Sequence, residues 1–117
     1  MIREIKVKVV ITIQRYDFKR GFKKDSQKRV LDALKNCFET DVIEKEEGTF
    51  VLSYGALRKM TVEVGDELSV DSEADTNVSE DIMADTNRRF RKFLAQATGF
   101  TAKQRAKKLQ EKVKGKD

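Results

Sequence analysis

Between Tyr16 and Lys24 four cations, Lys19, Arg20, Lys23 and Lys24, are interleaved with the rings of Tyr16, Phe18 and Phe22. Lys and Arg neutralise phosphates and exposed rings stack on bases, so such a stretch has the chemistry of a nucleic-acid contact. The same residues also fit a plain surface connector whose rings are buried and whose cations solubilise the loop or pair with acids elsewhere. A second group lies between Ser79 and Thr98, where helical spacing sets Arg88 opposite the apolar stripe with Arg91 and Lys92 on either side of it. Arg89 falls nearer the stripe edge, where its stem can cover apolar surface or its head can reach an acidic strand. Lys103, Arg105, Lys107 and Lys108 follow at once. Together these residues can form one basic surface that tracks a phosphate backbone, or an ordinary solvated helix face.

Other chemistries fail on residue type. The chain has no histidine and a single cysteine, Cys37, so histidine-dependent triads, the usual zinc sites and an internal disulfide are excluded. Cys37 lies on the apolar stripe of an expected helix and reads as a small core residue. Asp71, Glu73, Asp75 and Asn77 alternate as calcium-loop ligands do, but Thr76 stands where the loop needs its turn glycine and Ile82 where it needs a bidentate glutamate. Asp71 and Glu73 fit the wet face of a strand instead. With 20 Asp and Glu in the chain, closely spaced carboxylates are expected without any catalytic role. There is no glycine-rich GxGxxG or GxxxxGK[ST] pattern to hold a nucleotide. The expectation is a protein without catalysis, metal or cofactor.

A chain of 117 residues, 38% apolar and 38% charged, supports one modest core beneath a densely charged surface. Its net charge of +5 hides three blocks. Residues 1–37 carry 11 bases and 4 acids, residues 38–87 carry 3 and 14, and residues 88–117 carry 11 and 2. The balances of +7, −11 and +9 predict either a charge dipole with basic faces open to a polyanion, or internal pairing of ends with middle. Lys6 and Lys8 interrupt the first apolar run, leaving neither a membrane span nor a signal-peptide pattern, so the expected location is the cytoplasm.

The elements that must position these groups are read from periodicity. Ile5, Val7, Val9, Ile11 and Ile13 alternate with Lys6, Lys8, Val10, Thr12 and Gln14, a period-two strand. Tyr16 to Lys24 forms the connector. Asp25 or Ser26 then caps a helix bearing Val30, Leu31, Leu34, Cys37 and Phe38 and ending near Glu39. Strands are expected at about 41–45, 49–54, 57–64 and 67–73, parted by Glu47-Gly48, Gly55 and Gly65-Asp66, with one sheet face buried and one wet. Ser79 caps a second helix with stripe Ile82, Thr86, Phe90, Phe93, Leu94 and Ala97, ending at Gly99. Thr101 and Gln104 form a capping box opening a third helix, whose thin stripe is Ala102, Ala106, Leu109 and Val113. The order predicts a single α+β domain: an N-terminal strand, a helix, a four-stranded antiparallel meander, and two C-terminal helices packed on one sheet face. Residues 112–117 are expected to fray.

The strings YDFKRGF (Tyr16 to Phe22), FVLSYGAL (Phe50 to Leu57) and DTNRRFRKFLAQATGFTAKQRAKK (Asp85 to Lys108) together resemble a small archaeal protein family of unknown function. The resemblance implies an archaeal source but assigns no activity or binding residue, and the strand before Tyr16 departs from it. The topology is also similar to TATA-binding-protein-like folds and, less closely, helix-grip folds, which says little of function. The leading functional expectation is DNA or RNA binding by Tyr16, the connector cations and the basic C-terminal helices. The alternative is a protein-interaction module or homodimer that assembles through the edge of the first strand.

Overall fold

The computed structural model describes residues 9–101 and 103–107. Its elements are β1 (Val9–Tyr16), α1 (Ser26–Phe38), β2 (Ile43–Glu46), β3 (Thr49–Tyr54), β4 (Leu57–Val64), β5 (Leu68–Asp75) and α2 (Glu80–Thr98), with a helical stretch over 103–107. The fold is α+β: one five-stranded antiparallel sheet in the order β1-β5-β4-β3-β2, with the helices packed against it. Ile5, Lys6, Val7, Lys8, Ala102, Leu109, Val113 and the tail from 112 to 117 lie outside the described residues.

Glycine turns make the meander. Gly48 and Gly55 take positive φ, and the Val64 amide donates to the Gly48 carbonyl at 2.8 Å, joining the two ends of the β3–β4 hairpin region. Burial alternates as the sequence predicts. Phe50 and Leu52, Met60 and Val62, and Leu68 and Val70 all face the helices and are buried. The opposite face is open and carries Asp71, Glu73 and Asp75 of β5 with Lys59 and Glu63 of β4, Lys59 opposite Glu73, so the calcium-like alternation is the outward row of a strand.

The first strand corrects one expectation. It runs on to Tyr16, which belongs to the sheet and not to the connector. Its register also pairs Tyr16 with the buried Leu68, and Gln14 with Val70, so the half bearing Thr12, Gln14 and Tyr16 faces the helices. Ile11 and Ile13, opposite Glu73 and Asp71, therefore fall on the open face and are exposed.

The helices run antiparallel across the other face. Phe38 of α1 packs between Tyr54 and Phe93 in tilted contacts, with ring centroids 5.7 and 6.1 Å away. Val30, Ala33, Leu34 and Cys37 complete the buried face of α1, and Thr86, Phe93, Leu94, Ala97 and Thr98 that of α2. Ile82, expected on this stripe, is exposed at the helix start. Ser79 caps α2 by accepting from the Ile82 amide, and Gly99 ends it in the left-handed region. Asp25 occupies the corresponding position before α1, but with φ 55° its backbone is left-handed and its side chain makes no capping bond. Glu39 ends α1 where expected, also left-handed.

Candidate nucleic-acid interface

The connector is held at one end of the helical layer, between the C-terminus of α2 and the start of α1. The Lys19 amide donates to the Thr98 carbonyl at 2.7 Å, tying it to the end of α2, and the Phe22 amide closes back on the Lys19 carbonyl at 2.8 Å. The Arg29 guanidinium lies 4.6 Å from the Phe22 ring centroid and donates to the carbonyls of Phe22 (2.6 Å) and Lys24 (3.1 Å). Phe18 and Tyr16 pack against the core, and the Tyr16 hydroxyl bonds to Gln14. Burial pushes the Tyr16 phenol up. The three rings expected to interleave with the cations are thus half-buried and engaged in packing.

The connector cations Lys19, Arg20, Lys23 and Lys24 all remain exposed. Lys23 reaches Asp66 at 3.5 Å, a pair between two solvated groups that adds little to stability. On α2, Arg88, Arg91 and Lys92 are exposed as their helical phase requires. Arg88 pairs with Asp85 one turn earlier.

Arg89 takes both roles the stripe-edge position allows. Its guanidinium lies 4.9 Å from the Tyr54 ring centroid, pairs with Asp85 (Nε to Oδ2, 3.1 Å) and donates to the Cys37 carbonyl at 2.8 Å. Glu39 sits at 3.5 Å on its outer side. Asp85 in turn accepts from the Tyr54 hydroxyl at 2.6 Å. The Tyr54, Arg88 and Arg89 donors hold the Asp85 carboxyl below its usual range, and the same bond to Asp85 pushes the Tyr54 phenol up. This cluster joins β3, α2 and the last turn of α1, and the long reach of its bonds hides it from local sequence patterns.

Past Gly99 the capping box is formed in both directions. The Thr101 amide donates to the Gln104 side chain at 2.9 Å, and the Gln104 amide to the Thr101 hydroxyl at 3.2 Å. Lys103 and Lys107 are exposed on the helical stretch that follows. Arg105 is half-buried: it donates to the Phe100 carbonyl at 2.6 Å and lies near Tyr16. Lys108 is outside the described residues.

The basic set therefore sorts by environment. Among the described residues, Lys19, Arg20, Lys24, Arg91, Lys92, Lys103 and Lys107 are exposed and carry no ion pair. Lys23 and Arg88 are exposed but paired, and Tyr16 and Arg105 are engaged in the fold. Sequence reasoning passed over Lys28. It lines a groove of about 440 Å³ between α1 and α2 with Asp32, Asn36 and Gln96. The signal was present, since Lys28, Asp32 and Asn36 recur every four residues on one helix stripe. No group of three or more Asp, Glu or Cys among the described residues is arranged to hold a metal ion, and no described helix is long and apolar enough to cross a membrane.

Residues 13–111 match the family described as a domain of unknown function, DUF5611, and the chain belongs to that family. Comparison with curated proteins and with solved structures gives no match.

Proposed function

We propose that this is a non-enzymatic nucleic-acid-binding protein of the archaeal cytoplasm, which grips phosphates with the basic rim of its helical layer. The observation that supports the reading is that seven exposed cations without ion pairs, Lys19, Arg20, Lys24, Arg91, Lys92, Lys103 and Lys107, lie on the connector, α2 and the 103–107 stretch, while Arg15, Lys28, Lys35, Lys45, Arg58 and Lys59, also exposed and without ion pairs, lie elsewhere. The connector is bonded to the end of α2 through Lys19 and Thr98, and the 103–107 stretch follows α2 in the chain with Arg105 held to the Phe100 carbonyl. Lys19, Arg20 and Lys24 thereby border the same end of the molecule as Lys103 and Lys107, while Arg91 and Lys92 extend along α2.

The rings favour one class of contact. None of the seven Phe and two Tyr is exposed, so stacking on unpaired bases, the usual source of single-strand affinity, has no platform here. Phosphate contact on a preformed helix surface favours duplex over single strand and carries little sequence information. The test is a salt titration of binding to mixed-sequence duplexes and single strands. Duplex affinity is expected to fall with a log–log slope of up to about −6, if all seven cations neutralise phosphates at about −0.9 each. Replacing Arg91 and Lys92 with Ala should reduce that slope by about 2. Absence of binding at low salt removes the proposal, and single-strand binding as tight as duplex binding removes the preference while leaving the interface.

A further inference from the structure

The two edges of the sheet are unlike each other. β2 is four residues long, three of them charged (Glu44, Lys45 and Glu46), and its register with β3 is interrupted by a shift. Short length, charge and irregularity are the devices by which edges are protected from further pairing. β1 is neither short nor irregular and is little charged. It is eight residues long, runs against β5 without a break from Val9↔Asp75 to Tyr16↔Leu68, and carries one charge, Arg15. No described strand pairs with its outer side. Three of the large apolar side chains most exposed among the described residues lie on it: Val10 (50%), Ile11 (65%) and Ile13 (66%).

We infer that β1 pairs antiparallel with β1 of a second copy of this chain, about a two-fold axis through the middle of the strand. The choice of a second copy rests on the distribution of charge. A strand that meets itself antiparallel brings its centre against its own centre, so a charge there would face its like. The centre of β1 is Ile11, Thr12 and Ile13, and its one charge sits near the C-terminal end. Self-pairing places Arg15 beside the Val9 end of the partner strand, and on the open face that end is flanked by the Asp75 to which Val9 is registered. The arrangement gives apolar contact at the axis and an opposite-charge contact at each side. A foreign strand would require no such symmetry.

The two-fold axis is perpendicular to the sheet, because only that operator continues an antiparallel sheet across an edge. The product is a ten-stranded sheet, twice the five strands of one copy, with both helical layers on the same side.

The inference is independent of nucleic-acid binding and is tested without nucleic acid, by sedimentation equilibrium of the full chain at micromolar concentrations. A dimer is expected. Ile13→Lys, at a site already open to solvent, should yield a monomer with an unchanged circular dichroism spectrum, and Arg15→Glu should weaken the dimer about tenfold. A monomeric wild type overturns the inference, and so does a dimer that withstands both substitutions. Should Ile13→Lys disturb the fold, Arg15→Glu alone decides, since it changes neither the core nor the strand's apolar residues.

Discussion

The guanidinium of Arg89 stacks 4.9 Å from the Tyr54 ring centroid, and both residues bind the same carboxylate, that of Asp85. A cation, a phenol and an acid thus fasten the end of β3 to the middle of α2, while the remaining Arg89 donor holds the last turn of α1 through the Cys37 carbonyl. The first prediction concerns this cluster. Asp85 has a depressed pKa in the folded protein, so its contribution is present above the unfolded value of about 4 and is lost as pH falls through the folded value. Thermal melts recorded from neutral pH to pH 3 should show stability falling at the acid end. Asp85→Asn should be less stable at neutral pH and show a shallower acid dependence; a wild-type slope in that variant would contradict the assignment.

Arg105 and its neighbours separate fold from binding. Arg105 is half-buried and tied to the Phe100 carbonyl, whereas Lys103 and Lys107 are exposed. Arg105→Ala should lower the denaturant midpoint, while Lys103→Ala and Lys107→Ala leave it unchanged and reduce the salt slope of nucleic-acid binding by about 1 each. Equal behaviour of all three would show that burial does not divide the set.

Thr86 is a buried polar link between the β3–β4 turn and α2. Its hydroxyl accepts from the Ala56 amide at 3.1 Å and donates to the Ile82 carbonyl at 2.7 Å. Thr86→Val keeps the shape and strands a buried amide, which should cost about 1–3 kcal/mol in urea unfolding, whereas Thr86→Ser should retain most of the stability.

Gly99 ends α2 with φ 84°, and a Cβ there would lie 2.9 Å from the Phe22 ring and 3.0 Å from the Lys19 Cβ. Gly99→Ala should therefore destabilise by at least about 1 kcal/mol, through backbone strain and through displacement of the connector. Because the connector carries four of the candidate cations, the same variant should weaken duplex binding even though it removes no charge. Unchanged stability would mean that the connector does not rest on this glycine.

What the sequence made legible was local. Gly48, Gly55 and Gly65-Asp66 marked the strand boundaries, Ser79 and Gly99 the ends of α2, and Thr101 with Gln104 the capping box, because each is a conformational requirement met within a few residues. The phase of β1 was not legible. Alternation states that a strand has two faces but not which one meets the helices, and here the choice is made by the docking of Tyr16 opposite Leu68. The fate of the connector rings was hidden for the same reason, since Phe22 is covered by Arg29 and by the backbone at Gly99. The bonds from Tyr54 to Asp85 and from Arg89 to Cys37 span 31 and 52 positions, and no periodicity reports a contact of that range.

The open face of the sheet bears Asp71, Glu73, Asp75 and Glu63 against Arg15 and Lys59, a net acidic balance, while the cations of the connector, α2 and the 103–107 stretch border the helical layer behind it. A body charged in this way feels a torque in the field of any polyanion: its acidic side is turned away and its basic side forward before the surfaces meet. Correct orientation at encounter becomes the rule and not a matter of chance, which raises the fraction of collisions that lead to capture. Neutralising the sheet acids, far from the proposed phosphate contacts, would then slow association at low ionic strength while leaving the dissociation rate unchanged.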